Sequence, residues 1–196
     1  MNKVFLETIR VEQGRALHLP FHQERMERTL KHFHIQKEYI LSELLSPPQS
    51  GIYRCRVCYS NEKIEIEYIP YEKHLPQRLK MVEAADIAYD YKYENREVLQ
   101  RLFMQKGDAD DVLIVQNGFV RDTTIANVAF FNGKEWLTPK EPLLLGTTRA
   151  RYLKESKVKE AEIRVEELSS YKKMALMNAM VDFAIIPVEK IEEIMC

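Results

Sequence analysis

Two Asn-Gly pairs constrain the fold of this chain more than any other feature of its sequence. Asn117-Gly118 and Asn132-Gly133 each lie between two apolar runs. Both residues of such a pair tolerate positive φ, which a tight hairpin turn requires. The pattern therefore predicts consecutive antiparallel strands, a β meander, across residues 112–138. Just before it, apolar side chains recur at helical spacing in residues 98–103 and predict a short helix.

The first half of the chain predicts a mixture of strands and helices. Alternating apolar and polar residues indicate strands, and an apolar stripe every three or four residues indicates an amphipathic helix. The expected strands are 3–10, 16–19, 52–59, 64–68 and 80–83, and the expected helices are 21–33 and 37–45. The fold class expected for the whole chain is α+β.

Two domains are expected, because prolines and polar residues at 70–77, followed by residues 84–89, resemble a linker. The prediction is a small mixed α/β domain at residues 1–85 and a larger β-rich domain with helices at residues 86–196. In the second domain, Thr147 or Thr148 is expected to cap a helix that continues through Leu153, and Glu162–Val165 is expected to form a strand.

Composition narrows the class of protein. The chain has 196 residues, of which 45% are hydrophobic and 30% charged, and its formal net charge is −1. These values are typical of a globular protein and give no reason to expect nucleic acid or a membrane as a partner. No apolar run approaches the roughly 18 residues of a membrane helix, and the N-terminus lacks the apolar core of a signal peptide. A cytoplasmic enzyme is the expectation.

No metal site is expected. Cys55 and Cys58 form a C-x-x-C, but a strand places residues three apart on opposite faces, so these cysteines are interpreted as strand residues. No second Cys/His pair has the spacing of metal ligands.

Several segments together resemble a known enzyme family. The runs are GDADDVLIV at 107–115, GFVRDTTIANVAFF at 118–131, WLTP at 136–139 and LLLGTTRARYL at 143–153. Their order and spacing are similar to those of class IV aminotransferases, the fold-type IV pyridoxal-phosphate (PLP) enzymes. The family includes branched-chain aminotransferases, D-amino-acid aminotransferases and aminodeoxychorismate lyase. The segment KYENR at 92–96 is most similar to the lysine segment of the lyase. Compared with the family, the N-terminus is shortened, and the chain starts almost at the family strand that Phe5–Arg10 matches.

The resemblance implies the two-domain fold of D-amino-acid aminotransferase, a homodimer and PLP as cofactor. It assigns the catalytic role to Lys92, whose amine would form a Schiff base with the PLP aldehyde. Asp122 falls where the family usually has a glutamate that holds the protonated pyridine nitrogen, and Asn127 completes the same motif. The alternatives are a surface lysine and a hairpin aspartate on the solvent face.

The resemblance assigns the cofactor phosphate to two further segments. Arg25 falls on the arginine of an H-x-x-R motif, and its guanidinium fork suits a phosphate dianion. Thr147 and Thr148 fall on a G-x-T-R motif at a helix start, where backbone N–H groups bind anions. Asn178 matches an Asn-Ala pair of the lyase. Alternatively, Arg25 is an exposed helix residue and the threonines belong to an ordinary helix cap.

The resemblance implies an enzyme that acts on a small amino-group substrate. An aminodeoxychorismate lyase, which releases pyruvate and forms 4-aminobenzoate for folate synthesis, is favoured by KYENR and Asn178-Ala179. An amino acid aminotransferase of branched-chain or D-amino-acid type is the alternative, and an inactive PLP-binding homologue is a further one. Four more basic residues could bind a substrate carboxylate, although charged residues on strands and loops are more often solvated: Arg54, Arg56, His74 and Arg78.

Overall fold

The computed structural model describes residues 3–186, and the chain divides into two compact units. The first comprises Met1–Lys73 with Tyr91–Asn95, and the second comprises His74–Asp90 with Arg96–Cys196. Each unit is built on its own sheet and has few helices. This mixed architecture confirms the predicted fold class. None of the helices within residues 3–186 has the length and apolarity needed to cross a bilayer.

The first unit is an antiparallel sheet of order β2-β1-β3-β4 with two helices. Its elements are β1 (Phe5–Glu12), β2 (Arg15–Ala16), α1 (Leu19–His32), α2 (Leu41–Leu44), β3 (Ile52–Tyr59) and β4 (Ile64–Pro70). Helix α2 is shorter than predicted, because Ile40 is extended and the Gln23 side chain accepts the N–H of Leu41 at the helix start. Cys55 is buried in β3 and Cys58 half-buried, as expected for strand residues.

Strand β1 and helix α1 each bury one regular row of side chains. Alternate residues of β1 are fully buried: Phe5, Glu7, Ile9 and Val11. Helix α1 buries a stripe at helical spacing: His22, Arg25, Met26, Thr29 and Leu30. The periods of 2 and 3.6 explain both rows, and both include charged or polar residues. The cluster formed by those residues is described below.

Residues Tyr91–Asn95 belong to the first unit rather than to the second domain predicted for them. The N–H of Leu6 donates to the Lys92 carbonyl at 2.8 Å, and the N–H of Glu94 donates to the Val4 carbonyl at 3.0 Å. The rings of Tyr91 and Tyr93 pack near those of Phe33 and Phe5, at centroid distances of 4.9 and 5.5 Å. The segment therefore extends the edge of β1, and the unit boundaries differ from the predicted division after residue 85.

The second unit contains the meander. Its strands are β5 (Leu79–Glu83), β6 (Asp111–Gln116), β7 (Phe119–Thr123), β8 (Asn127–Phe131), β9 (Trp136–Pro139), β10 (Lys159–Ala161), β11 (Lys173–Asn178) and β12 (Asp182–Ile185), and its helices are α3 (Glu97–Phe103) and α4 (Thr147–Lys154). The sheet runs β10-β9-β8-β7-β6-β5, and β11 pairs with both β8 and β12. Strand β5 lies parallel to β6, so it belongs here and not to the first domain, where it was predicted.

The predicted meander is confirmed, and one predicted strand is wrong. Asn117 and Gly118 have φ of 54° and 77°, as the hairpin turn requires. Residues Glu162–Val165 do not form a strand, because a 3₁₀ helix begins at Val165. The residues before it still bond to the β7 hairpin, since the Ile163 carbonyl accepts the N–H of Val120 at 2.8 Å.

Candidate active site

A buried carboxylate lies in β7 of the second unit. Asp122 is 4% exposed. Its Oδ1 accepts a hydrogen bond from Asn127 Nδ2 at 2.8 Å, and its Oδ2 accepts one from the Leu144 N–H at 3.0 Å. Burial raises the pKa of Asp122 to about 7, although these hydrogen bonds oppose the rise. The alternative of a hairpin aspartate on the solvent face is therefore wrong.

Asn127 connects this acid to the loop before α4. Its Nδ2 group also donates to the Leu144 carbonyl, at 2.8 Å. Its Oδ1 lies against Gly146, where a Cβ built on the backbone would meet that oxygen at 1.9 Å. Gly146 has a φ of −71°, which any residue can adopt, so the contact with Asn127 is what requires glycine. The acid and the start of α4 are thus held together by one amide.

Helix α4 begins with a set of donors suited to an anion. Gly146 is its N-cap, which makes Thr147 and Thr148 the first helical residues and corrects the prediction that one of them is the cap. Both threonines are buried, and no side chain among residues 3–186 caps the start of the helix. The first N–H groups of a helix have no partner within it, and the helix dipole favours negative charge there.

Asn178 is held by the local turn. Its Oδ1 accepts the N–H groups of Met180 and Val181, and its Nδ2 donates to the Ile125 carbonyl at 3.2 Å. The side chain therefore ties the β11–β12 turn to the loop that follows Asp122. Its predicted contact with a cofactor stays a prediction.

In the first unit, Arg25 belongs to a buried charged cluster. Glu7 is fully buried, and its two carboxylate oxygens accept from Arg25 Nε at 2.8 Å and Arg25 Nη2 at 2.5 Å. His22 Nδ1 lies 2.7 Å from Glu7 Oε2. Arg25 is 6% exposed, so the alternative of an exposed helix residue is wrong. We call Glu7, His22 and Arg25 the buried triad.

The charge state of the buried triad follows from its contacts. Burial raises the pKa of Glu7, but Arg25 and His22 outweigh it and lower that pKa to about 2. Burial lowers the pKa of His22 despite the hydrogen bond to Glu7. Near neutral pH the cluster is therefore a carboxylate, a guanidinium and a neutral imidazole that donates its Nδ1 proton to Glu7.

Lys92 lies within electrostatic reach of the buried triad. It is half-buried, and its positive charge contributes to the lowering of the His22 pKa. Of the predicted site residues, the structure thus groups Lys92 with Arg25 in the first unit. In the second unit it groups Asp122 with Asn127 beside the helix start that carries Thr147 and Thr148.

The sequence interpretation missed Glu7. A signal for it exists, because a carboxylate occupies the apolar row of an alternating strand, and a buried carboxylate requires a partner. His22 and Arg25, in the apolar stripe of α1, are the matching signal.

The other face of the first sheet carries three arginines. Arg10 lies opposite Arg54 in the register of β1 and β3, and Arg56 lies opposite Thr8. Arg10 pairs with Glu12 at 2.9 Å, and Arg56 lies 3.6 Å from Glu94. The buried Nε of Arg54 has no hydrogen-bond partner among residues 3–186. Arg10 was not singled out from sequence, because only the strand register places it there.

Arg78, a further candidate from sequence for binding a substrate carboxylate, lies in the second unit and donates to the Asp108 carbonyl. Within residues 3–186, no group of three His, Cys, Asp or Glu side chains is arranged to hold a metal ion.

Comparison with known proteins decides the family. The model of the amino-transferase class IV family matches residues 4–191. This chain belongs to that family. A relative from Haemophilus influenzae, an uncharacterized protein, is 36% identical over 180 residues, which cover 89% of this chain and 96% of the relative. The chain is therefore a member of a family of PLP-dependent enzymes.

Solved class IV structures have the same fold. A candidate 4-amino-4-deoxychorismate lyase from Haemophilus somnus is 33% identical, with a TM-score of 0.85 over 91% of this chain and 96% of that one. The branched-chain amino acid aminotransferase of Escherichia coli has a TM-score of 0.76 at 14% identity, over 99% of this chain and 80% of its own. At 14% identity, the likeness to the Escherichia coli enzyme shows a shared fold only.

The residues present fit PLP. Asp122 is a buried acid that accepts hydrogen bonds from Asn127 and the Leu144 N–H, and the four lone pairs of a carboxylate can also accept from a protonated pyridine nitrogen. The uncapped start of α4 fits a phosphate. The close contact of Gly146 with Asn127 holds these two features next to each other.

Proposed function

We propose that this class IV protein is a PLP-dependent enzyme in which Lys92 binds the cofactor covalently, and that its activity resembles that of 4-amino-4-deoxychorismate lyase. The observation that carries the proposal is the buried Asp122, joined through Asn127 to the uncapped start of α4. An acid for a ring nitrogen beside donors for a phosphate is the pair of features that PLP needs.

Bound PLP would withdraw electrons from the substrate carbon next to the amino group, provided that its ring nitrogen stays protonated. Asp122 would hold that proton, because a cation beside the carboxyl group lowers its raised pKa and stabilises the carboxylate. Asn127 fixes the orientation of this carboxylate, because its Nδ2 group donates a hydrogen bond to Asp122 Oδ1.

The proposed ligands of the phosphate are hydroxyl groups, backbone N–H groups and one guanidinium. Thr147 and Thr148 would offer hydroxyls and the first N–H groups of α4, and Arg25 would offer the guanidinium fork. Asn178 would act at the loop that it ties to Ile125. Because these donors are buried, their hydrogen bonds to a dianion would be strong.

Lys92 would have two functions. Its amine would bind the cofactor aldehyde carbon, and once a substrate amine displaced it, Lys92 Nζ would move a proton at the substrate's α carbon. Its backbone is fixed by the hydrogen bond between its carbonyl and Leu6, so the side chain starts from a defined position.

The arginines of the first sheet support an acidic substrate. We propose that Arg10, Arg54 and Arg56 supply positive charge for substrate carboxylates, since guanidinium groups bind carboxylates bidentately. Aminodeoxychorismate carries two carboxylates, as does 2-oxoglutarate. This charge supports a lyase or a dicarboxylate aminotransferase more than an enzyme of branched-chain amino acids.

Covalent trapping tests the cofactor assignment. Purified protein supplied with PLP is reduced with borohydride, digested and examined by mass spectrometry. We expect the pyridoxyl mass on Lys92 and its loss in Lys92→Ala, whereas the exposed Lys63→Ala should behave as wild type. A label on another lysine would contradict the assignment of Lys92.

A second assay separates the reactions. The loaded enzyme is given 4-amino-4-deoxychorismate without a keto acid, and pyruvate and 4-aminobenzoate are measured; both should appear in equal amounts. Amine transfer to 2-oxoglutarate without pyruvate release would establish the aminotransferase instead. Loading without either reaction would indicate a binding homologue. The homodimer, the cytoplasmic location and a link to folate synthesis stay predictions.

A further inference from the structure

Glu7 occupies an unusual position for a carboxylate. It is fully buried in the apolar row of β1, and it contacts one edge of the Arg25 guanidinium through both of its oxygens. A bidentate bond of this kind fixes the plane and the direction of the guanidinium. The direction of the remaining N–H groups of Arg25 is therefore set by Glu7.

We propose that Glu7 is a positioning residue for the cofactor phosphate: it holds Arg25, and His22 beside it, in the orientation that recognises the phosphate of PLP. This inference rests on the proposed function, in which Arg25 is a phosphate ligand. It adds a residue that no sequence motif in the chain assigns to the cofactor.

Three features of the buried triad support this role over that of a simple structural pair. A buried ion pair seldom stabilises a fold more than apolar side chains of similar volume would, so stability alone gives little reason for it. Loss of Glu7 would remove the two hydrogen bonds that fix the Nε–Nη2 edge of Arg25. Lys92 acts electrostatically on His22, which places the triad in the neighbourhood of the proposed covalent attachment point.

The role of His22 follows from the same geometry. Its Nδ1 lies 2.7 Å from Glu7 Oε2, the oxygen that also accepts from Arg25 Nη2. The neutral imidazole can donate only one proton, and it donates to the carboxylate. His22 therefore holds Glu7 through Oε2 without adding a second positive charge to the buried triad.

The test compares PLP with pyridoxal, which lacks the phosphate. Dissociation constants of both are measured for wild type, Glu7→Gln, Glu7→Asp and Arg25→Lys, with Glu97→Gln as the matched control from an exposed Glu–Arg pair. We expect Glu7→Gln to reduce the preference for PLP over pyridoxal by about tenfold or more, the effect of losing one charged hydrogen bond. Pyridoxal affinity should change little, and Glu97→Gln should keep the wild-type preference.

A purely structural role predicts a different result, namely equal weakening of both ligands. Equal weakening, or tighter PLP binding in Glu7→Gln through relief of charge repulsion, would overturn the proposal. Glu7→Asp keeps the charge and shortens the side chain by one methylene, so it provides the same test if Glu7→Gln does not fold. In the Arg25→Lys background, Glu7→Asp should cause no further loss of preference.

The outcomes separate this inference from the proposed function. If Arg25→Lys leaves the preference unchanged, Arg25 does not bind the phosphate and the positioning role of Glu7 is wrong, whereas the proposal of a PLP enzyme, which is carried by Asp122 and the start of α4, stands. If Arg25→Lys removes the preference but neither Glu7 variant does, the phosphate assignment stands and the positioning role of Glu7 is wrong. Failure of wild type to bind PLP would overturn both.

Discussion

Asp122, which the resemblance places where a glutamate is usual, has a carboxyl group that the protein holds at both oxygens. Asn127 and the Leu144 N–H approach its two oxygens, so the carboxyl group has a fixed direction. Burial raises its pKa to about 7, which keeps a proton available at this position near neutral pH. A cationic ring beside it would convert it to the carboxylate.

The raised pKa makes a prediction about stability without cofactor. An unfolded aspartate loses its proton near pH 3.9, whereas folded Asp122 keeps it to about pH 7. The folded state binds more protons between those values, so the contribution of Asp122 to stability is lost as the pH rises through that range. As the pH rises from 4 to 8, we expect the free energy of unfolding of wild type to fall by a few kcal/mol relative to that of Asp122→Asn. The expected fall is about 1.4 kcal/mol for each unit by which the fold raises the Asp122 pKa.

Denaturant unfolding of both proteins across this pH range measures the effect. Asp108→Asn, at an exposed aspartate, is the control and should show a constant difference from wild type. A constant difference for Asp122→Asn as well would mean that Asp122 is ionised in the fold throughout the range.

Gly146 makes a second prediction at this scale. Gly146→Ala should lower the free energy of unfolding by about 1–3 kcal/mol, because the new Cβ would overlap Asn127 Oδ1 and force the loop to move. The same movement should weaken PLP binding. The control is Asn127→Ala, in whose background Gly146→Ala should cost much less, as contacting residues are not additive. Equal costs in both backgrounds would show that Asn127 is not the obstacle.

At the scale of elements, the meander shows what the sequence determines and what it leaves open. Both Asn-Gly pairs lie at turns between antiparallel strands, as predicted, although positive φ occurs at both residues of Asn117-Gly118 and only at the glycine of Asn132-Gly133. The Lys92 segment was assigned to the wrong unit, because its hydrogen bonds to Val4 and Leu6 join residues far apart in the chain. Local patterns find strands, whereas the partner of a strand depends on the tertiary fold.

The candidate site follows the same division. Motif positions found Asp122 and Arg25 from sequence, and the structure buries both. The contact of Glu7 with Arg25 and the proximity of Arg10 to Arg54 were not predicted from sequence. The first depends on the packing of α1 on β1, and the second depends on the register of β1 with β3. Side-chain partners across elements are not encoded in the spacing along one element.

The Lys92 segment supports an element-scale prediction. Tyr93 packs against Phe5 and lies near Phe33, and it pairs with β1 through an isolated bridge. Tyr93→Ala should destabilise the protein by about 3 kcal/mol and lower PLP occupancy, because Lys92 would lose its fixed backbone. Glu94→Ala, in the same segment, should have less than about 1 kcal/mol of effect, since its contact with Arg56 is an exposed pair. Thermal unfolding and cofactor absorbance measure both.

At the scale of the whole molecule, the residues predicted from sequence for the cofactor are divided between the two compact units. Lys92 and Arg25 belong to the first, and Asp122, Asn127, Thr147 and Thr148 belong to the second.

Amide hydrogen exchange tests the proposed contribution of the second unit. Saturating PLP should slow exchange in β7 and the first turn of α4, because a ligand stabilises the elements that hold it. Inorganic phosphate, the control, should protect the first turn of α4 but not β7. Unchanged exchange in both elements at saturating PLP would contradict the proposed roles of Asp122 and the start of α4.

The chain passes between the two units three times, after Lys73, after Asp90 and after Asn95. A fragment ending at Lys73 would therefore lack Lys92, the proposed attachment point, and would leave the Val4–Leu6 end of β1 without its pairing segment. Neither unit can be inherited, excised or exchanged as one uninterrupted stretch of gene. Recombination between relatives should accordingly preserve residues 4–95 as a block, and chimaeras joined inside that block should lose the amine's support even when both parents are active.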